Sequence, residues 1–506
     1  MTTYPSESAS VFSMREILAE QVERIKASGK LDSNIAALRM QITTLVELRD
    51  RDSAVRAVLQ HLIAPIRTLP VEILSEIFLH TLGEATQYGN SHIRAAYRVS
   101  HVCSEWRHVA ATTAQLWTGP ITLYFDRTWT EPEDATYAAG LREWLARSAS
   151  VSIPFTLQLP WVNLQNSMNL RTLEEVVHVA SRWRSLQFNG PGHRALSFLG
   201  QFKSDSLLCL EELELWTTTQ DEEMVDPTNI QCFSAAPKLR KLSINASCRV
   251  PMPWAQLTAL TLRSISTSDA LANILNRCPT LVHADINLPK WELPAGGIDL
   301  IVLNHLRTLV LNFVEDGPLA MGFVAHLCVP VLDDLRLYFD IGLEQNWDEE
   351  SFTTFQSRSP SITRLDLEIP DGTLHISSHA FRNVFLHTPL LSHLKIFVEH
   401  FCDVALLELL TYTDSDAQPL VPHLCSVKFT DTQFGIVGDA LASMIRSRWW
   451  TDEELVSRPS PPAVARWSEV NLTGDCRSGR KEISQSFRDS INALCSSGLQ
   501  IRVKEI

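Results

Sequence analysis

The sequence predicts an α/β chain in three stages: an N-terminal helix, a module of three short helices, and an irregular solenoid with parallel strands inside and helices outside. Three observations carry this. Apolar residues between 31 and 62 recur at four- and three-residue steps, two helix-period stripes ending in Leu116 and Trp117 occupy 66–117, and a pattern P-x-L-x-x-L-x-L then returns nine times. Side chains three or four apart share a helix face, and those two apart share a strand face. The first two signals therefore read as helices and the third as stacked strands.

Residues 1–30 form a mixed, partly disordered segment with a short amphipathic helix over 14–25, ended by Ser28 and Gly29. From 31 to 65 a helix carries Leu31, Ile35, Leu38, Ile42, Leu45, Leu48, Val55, Leu59 and Leu62 at heptad-like spacing. The step from Leu45 to Leu48 and the acid at Asp52 interrupt the alternation. Self-association, or packing back on the helical module, accounts for this stripe equally well.

The module at 66–118 opens with Leu69 and Pro70. Proline suits a first helical turn and Glu72 favours a helix N-terminus, so a helix is predicted over 71–82, with Ile73, Leu74, Ile77, Phe78 and Leu82 on one stripe. A polar loop over 83–92 and a short helix near 94–99 follow. Val99, Val102, Cys103, Trp106, Val109 and Ala110 then repeat the helical spacing before Leu116 and Trp117 close the unit. About fifty residues enclose only a marginal core, and a stripe this wide with two Trp fits a helix-in-groove partner.

The series L-P-x-E-[IL]-L-x-x-I-F, V-x-x-[VC]-C-x-x-W-R and L-W resembles the F-box, through which F-box proteins attach to a Skp-type adaptor. The resemblance implies that Leu69, Pro70, Ile73, Leu74, Ile77, Phe78, Cys103, Trp106, Leu116 and Trp117 bind that adaptor, with Arg107 in the closing helix.

Over 119–506, ITLYF and IPFTLQL alternate as strands around a helix near 138–147. The nine pattern copies end at Leu215, Ile244, Leu262, Ile286, Leu311, Leu337, Leu367, Ile396 and Phe429, six of them with Pro at a fixed offset: Pro237, Pro279, Pro330, Pro360, Pro389 and Pro422. Proline there ends a helix and starts a strand where a missing N–H is tolerated. Short amphipathic helices are predicted between copies, at SDALANILNRC, MGFVAHLC, HAFRNVFLH and VALLELL. A helix near 438–447, an exposed loop over 448–463, a strand at 467–472, a helix carrying Ile483, Phe487, Ile491 and Leu494, and a last strand LQIRV form a closing repeat. Such a stack buries the last and third-last residue of every copy. It resembles a leucine-rich-repeat horseshoe, and the tandem resembles the F-box, leucine-rich-repeat proteins abundant in fungi. Copy spacing runs from 18 residues, Ile244 to Leu262, to 33, Ile396 to Phe429, so irregular curvature is expected.

Composition excludes several functions. Lys and Arg number 44 against 58 Asp and Glu, a net charge of -14 that disfavours nucleic acid and anionic membranes. No apolar run reaches the roughly 18–20 residues of a membrane span, and the first residues lack a signal-peptide order. A cytoplasmic and/or nuclear location is expected. The ten Cys are scattered without zinc spacing, and the sequons at Asn245 and Asn471 are read as chance matches. No P-loop, G-x-G-x-x-G, H-E-x-x-H or G-x-S-x-G occurs, so no catalytic residue, metal or cofactor is expected. His375 with His379, and the Glu399, His400, Cys402, Asp403 cluster, read more simply as turn and loop residues.

The residues flanking the last apolar one of each copy point outward onto a concave face. Trp216, Arg263, Arg336, Tyr338, Lys395 and Phe397 are among its aromatic and basic members, which suit protein recognition. The resemblance thus implies a substrate-recognition subunit of a Skp-cullin-F-box ubiquitin ligase that holds an unknown protein target. The alternative is an F-box and repeat scaffold without ubiquitin transfer, and an enzyme using the 375–403 histidines ranks third.

Overall fold

The structure, a computed structural model, describes residues 8–62, 66, 69–82, 91–125, 130–148, 151–159, 170–191, 198–203, 205–218, 230–245, 250–263, 267–288, 299–314, 320–339, 347–369, 376–401, 403–414, 418–474 and 484–505. It divides into two compact units, Met1–His80 and Thr81–Ile506, each described by itself.

The first unit holds α1 (Ser8–Leu62), a single helix of 55 residues, and α2 (Val71–His80). The break expected at Ser28 and Gly29 does not occur, and residues 8–30, expected to be partly disordered, are helical. A lone glycine costs only about 1 kcal/mol in a helix, while Glu20–Arg24 and Glu23–Lys26 pair along the surface just before it and the helix formers Ala27, Lys30 and Leu31 stand beside it. Every α1 side chain described, from Met14 to Gln60, is exposed.

The second unit opens with α3 (Ser91–Ser100), α4 (Ser104–Thr112) and a 3₁₀ turn, Ala114–Trp117. Sixteen strands follow among the described residues. The first seven are β1 (Ile121–Tyr124), β2 (Ile153–Gln158), β3 (Trp183–Pro191), β4 (Glu212–Thr218), β5 (Lys241–Asn245), β6 (Ala259–Arg263) and β7 (His283–Leu288). Then come β8 (Ile301–Val302), β9 (Thr308–Phe313), β10 (Leu327–Cys328), β11 (Asp334–Phe339), β12 (Arg364–Ile369), β13 (His393–Phe401), β14 (Ser426–Thr432), β15 (Glu469–Gly474) and β16 (Ile501–Glu505). All but β8 and β10, which pair with each other, make one parallel sheet of 14 strands in chain order.

The register explains why the pattern repeats. Leu215, Ile244, Leu262, Ile286, Leu311, Leu337, Leu367, Ile396 and Phe429 stand opposite one another strand after strand. The same row extends backward through Phe188, Leu157 and Leu123 and forward through Leu472 and Val503. One continuous row of side chains therefore runs through the sheet, and its nine pattern members are buried. A one-residue slip in any strand would turn its apolar set to the other face.

The prolines act one step earlier than expected. Pro237, Pro279, Pro330, Pro389 and Pro422 each occupy the second position of a tight turn, in which the carbonyl before them accepts from the N–H three residues on, as in Leu239 N to Ala236 O at 3.4 Å. Pro is favoured there because its φ is preset. The fourth turn residue starts the repeat's burial: Leu239, Leu281, Leu332, Leu391 and Leu424 are fully enclosed.

Helices join consecutive repeats on the other layer. α5 (Glu131–Arg147) and α6 (Leu170–His178) are linked by buried Asp134, whose carboxylate accepts from Arg171 N, Thr172 N and the Thr172 hydroxyl at 3.2, 3.2 and 2.6 Å. Further helices cover Ser268–Asn276, Glu349–Ser357, Ser378–Leu386, Val404–Leu410, Phe434–Ser447 and Gln485–Ser496. In the segment MGFVAHLC, Met321–His326 belong to a 3₁₀ helix, Ala320–His326, instead of the expected α-helix, and Leu327 and Cys328 form β10. The loop expected over 448–463 contains the helix Asp452–Ser457, started by a reciprocal cap between Thr451 and Glu454.

Buried arginines close helix ends. Arg448, 1% exposed, donates to Leu410 O, Leu420 O and Val421 O at 3.1, 2.9 and 3.0 Å. Burial lowers its pKa to about 10, so it stays charged at neutral pH. Val421 has φ +41°, a strained value for a β-branched residue, and Arg448 holds that turn in place. Arg182 does the same for the end of α5 through Leu145 O, Ser148 O and Val151 O.

Candidate functional site

The helical residues at 69–117 are built by α2 in the first unit and α3, α4 and the 3₁₀ turn in the second. In α2, Pro70 O accepts from Leu74 N at 3.0 Å, which makes proline part of the first turn. The single apolar stripe expected here is two adjacent stripes. Leu74 and Phe78 are 3% and 0% exposed, whereas Ile73 and Ile77 are 48% and 37% exposed, with Pro70 and Val71 also open and Leu69 half-buried. The exposed row, one helical turn long between Ile73 and Ile77, is an apolar surface ready for a partner.

Cys103 begins α4: its Sγ accepts from Trp106 N at 3.4 Å in an extended N-cap conformation. Trp106 is half-buried, and Val102 and Arg107 are exposed. Leu116 and Trp117 are both wholly buried, and Trp117 Nε1 donates to Ala110 O at 2.7 Å. Both pack against α3, α4 and α5, so their burial holds this part of the fold together.

Trp117 also belongs to an aromatic joint. Its ring lies 4.8 Å from Trp144 of α5 and 5.7 Å from Tyr97 of α3, and the Arg147 guanidinium sits 4.6 Å over it. Gly119 lets His92 into this cluster, since a Cβ there would stand 2.1 Å from the imidazole. Beside the joint, a largely apolar groove of about 610 Å³ runs along Ile93, Tyr97, Leu123, Tyr137 and Trp144. Sequence reasoning missed this groove, whose walls come from segments more than forty residues apart.

The second candidate surface is the open face of the sheet. Trp216, Arg263, Arg336, Tyr338, Lys395 and Phe397 all lie on it, half-buried between neighbouring strands. They form two groups, not one. Trp216 and Arg263 stand on β4 and β6, the other four on β11 and β13, and Trp216 is five strand spacings, roughly 24 Å, from Arg336.

Most are already engaged. Arg263 makes a two-pronged pair with Asp285 at 2.9 and 2.6 Å and also reaches Asn287, while Asn312 donates to the same Asp285 at 2.7 Å. Arg336 pairs with Asp334 at 2.7 and 3.1 Å, which raises its pKa further. Lys395 donates to Glu368 at 3.2 Å and lies 5.9 Å over the Tyr338 ring, and Trp216 Nε1 donates to Glu214. Burial raises the pKa of Asp366 between them, against the opposing pull of Lys395 and Arg336. The face is thus a pre-ordered network of paired charges with aromatic rings beside it, which presents shape and hydrogen-bonding groups at small entropic cost. At the N-terminal end a groove of about 390 Å³ lies over Thr156, Gln187, Glu214, Ser243, Thr261 and His283. Its β3 wall was not foreseen, although SLQF ends in the same alternation as the other copies.

Among the described residues no three His, Cys, Asp or Glu side chains gather as metal ligands. Asp403 caps the helix Val404–Leu410 by accepting from Leu406 N at 3.1 Å, and exposed His379 lies 3.4 Å from Glu349. His375, Cys402 and the side chains of Glu399 and His400 lie outside the described residues. No helix among them is long and apolar enough to cross a membrane.

No curated protein matches the chain. The family model described as F-box-like matches residues 66–121, which run from five residues before α2 to the first residue of β1: the chain carries an F-box-like domain ahead of its parallel-strand repeats.

Proposed function

We propose that this chain is the substrate-recognition subunit of a Skp-cullin-F-box ubiquitin ligase, working in the cytoplasm or nucleus, with leucine-rich-repeat-like strands as its receptor. The observation that carries the reading is the F-box-like match over 66–121 together with the exposed Ile73 and Ile77 row within it. F-box domains generally bind Skp-type adaptors and are typically non-catalytic. The adaptor would reach a cullin, and the open face of the sheet would hold a protein target. Catalysis is then by proximity: a target Lys is held near a ubiquitin thioester on another subunit, and the effective concentration replaces a catalytic group in this chain.

A scaffold that binds the adaptor without ubiquitin transfer is the alternative, and it shares the same docking surface. Affinity capture of the full chain from cells separates them. The ligase reading expects both adaptor and cullin to co-purify and the purified chain alone to form no thioester with ubiquitin. Adaptor without cullin supports the scaffold, and neither partner defeats both readings.

A further inference from the structure

Among its described side chains, 14–60, the long helix α1 carries an apolar stripe of which no residue is buried. Leu31, Leu38, Ile42 and Leu45 are each more than half exposed, and the stripe continues through Met14, Leu18, Val22 and Ile25 on one side and Val55 and Leu59 on the other. A helix of this kind gains nothing from packing until something covers that stripe. We infer that its occupant is the same helix of a second copy, running antiparallel and centred near Leu38.

Two kinds of complementarity support this. The first is steric. With Leu38 near its own copy, and to within one residue, Ile35 lies opposite Ile42, Leu31 opposite Leu45, Val22 opposite Val55 and Leu18 opposite Leu59. The stripe has one gap of small residues, at Ser28 and Gly29, where a Cβ added at the glycine would meet nothing within 4 Å, and one charged interruption, at Asp52, which falls opposite Arg24 and Ile25 in this arrangement. It has one extra member, Leu48, which breaks the heptad alternation. The antiparallel arrangement sets the extra leucine against the gap, whereas a parallel in-register pair leaves the gap facing a gap.

The second is charge. Residues 24–30 carry Arg24, Lys26 and Lys30 without an acid, and residues 15–23 carry Glu16, Glu20 and Glu23 against Arg15 alone. Residues 46–52 carry Glu47, Asp50 and Asp52 against Arg49 and Arg51, and residues 53–60 carry only Arg56. Antiparallel pairing places the basic block beside the acidic one and the acidic N-terminal block beside Arg56. Parallel pairing puts like blocks together throughout and sets Asp52, which interrupts the stripe, against its own copy in the seam, a costly place for two carboxylates. Overlap from Met14 to Leu62 makes a rod of roughly 70 Å.

The test uses the full chain. Light scattering after size exclusion at micromolar concentration is expected to give twice the 56.9 kDa chain mass. Lys26→Glu with Lys30→Glu is expected to weaken the dimer about tenfold, and adding Glu47→Lys with Asp50→Lys to restore it. A parallel in-register dimer predicts no such loss and rescue, because both copies carry each change and one like-charge contact only replaces another. α1 contains no Cys, so mixed Val22→Cys and Val55→Cys chains report directly. A 22-to-55 bridged peptide by mass spectrometry supports the inference, and a monomer, or 22-to-22 bridging, overturns it.

Discussion

Replacing Ile73 and Ile77 together by Ala tests the docking surface most directly, because the two isoleucines differ from their neighbours in exposure while sharing their chemistry. Full burial of an Ile side chain is worth about 1.5–3 kcal/mol. Ile73 and Ile77 still expose 48% and 37% of their surface, so each has about 1 kcal/mol left to gain when a partner covers it. Losing both should weaken adaptor binding by about 2 kcal/mol, or roughly thirtyfold in Kd. Stability should fall by only about 1 kcal/mol per isoleucine, from the part of each side chain that is already covered. Phe78→Ala is the contrast: at 0% exposure its loss should cost about 3–5 kcal/mol of stability through a cavity. Calorimetric titration of the full chain with a purified Skp-type adaptor reads the first effect and a thermal melt the second. If the isoleucine pair stays folded and binds with unchanged affinity, the exposed row of α2 is not the docking surface.

Two further outcomes follow from the repeat region. Leu337→Ala, in the buried row, should lower stability by about 2–5 kcal/mol, while Tyr338→Ala next to it on the open face should cost well under half of that; equal losses in a denaturant titration would mean that the strand faces are misassigned. Arg448→Met should cost about 2–4 kcal/mol because three carbonyls lose a buried donor, and Arg448→Lys should recover only part, since an ammonium cannot reproduce the planar fork; a melt in which Lys equals Arg would show that charge alone matters there.

The repeat strands were legible because two periodic signals coincide in them. Each copy alternates with period two, and each begins at a turn that selects Pro at its second position, so pattern and punctuation agree about the register. Where one signal drops out, so does legibility. β3 has the alternation of SLQF but follows a 3₁₀ turn ending at Arg182 instead of a proline turn. The helix Phe434–Ser447 starts four residues before its expected place because Gly435 and Gly438 look like breakers. In the fold Gly438 is wanted for its small size, since a Cβ there would lie 3.1 Å from Phe487. The helix Asp452–Ser457 did announce itself, through Thr451 and Glu454, but the Ser and Pro residues after it outweighed that cap.

The candidate surfaces were less legible, for a physical reason that separates the two. In α2 the spacing of Ile73, Leu74, Ile77 and Phe78 says that all four lie on one side of a helix, and the division between buried and exposed members depends on which direction the rest of the fold arrives from. A one-dimensional period cannot carry that information. On the sheet the obstacle is different: alternation correctly turns Arg263, Arg336 and Lys395 outward, but their partners Asp285, Asp334 and Glu368 are chosen by register between strands or by a neighbour two residues away on the same face. Outward basic residues that look free in sequence are therefore committed in the fold. On the proposed reading, a target would have to read the paired network and the rings of Tyr338 and Phe397 beside it, or offer carboxylates in better geometry than Asp334 and Glu368 already do, and the second route would have to overcome the existing pairs first. Recognition on this face would accordingly be governed by shape and aromatic contact more than by charge.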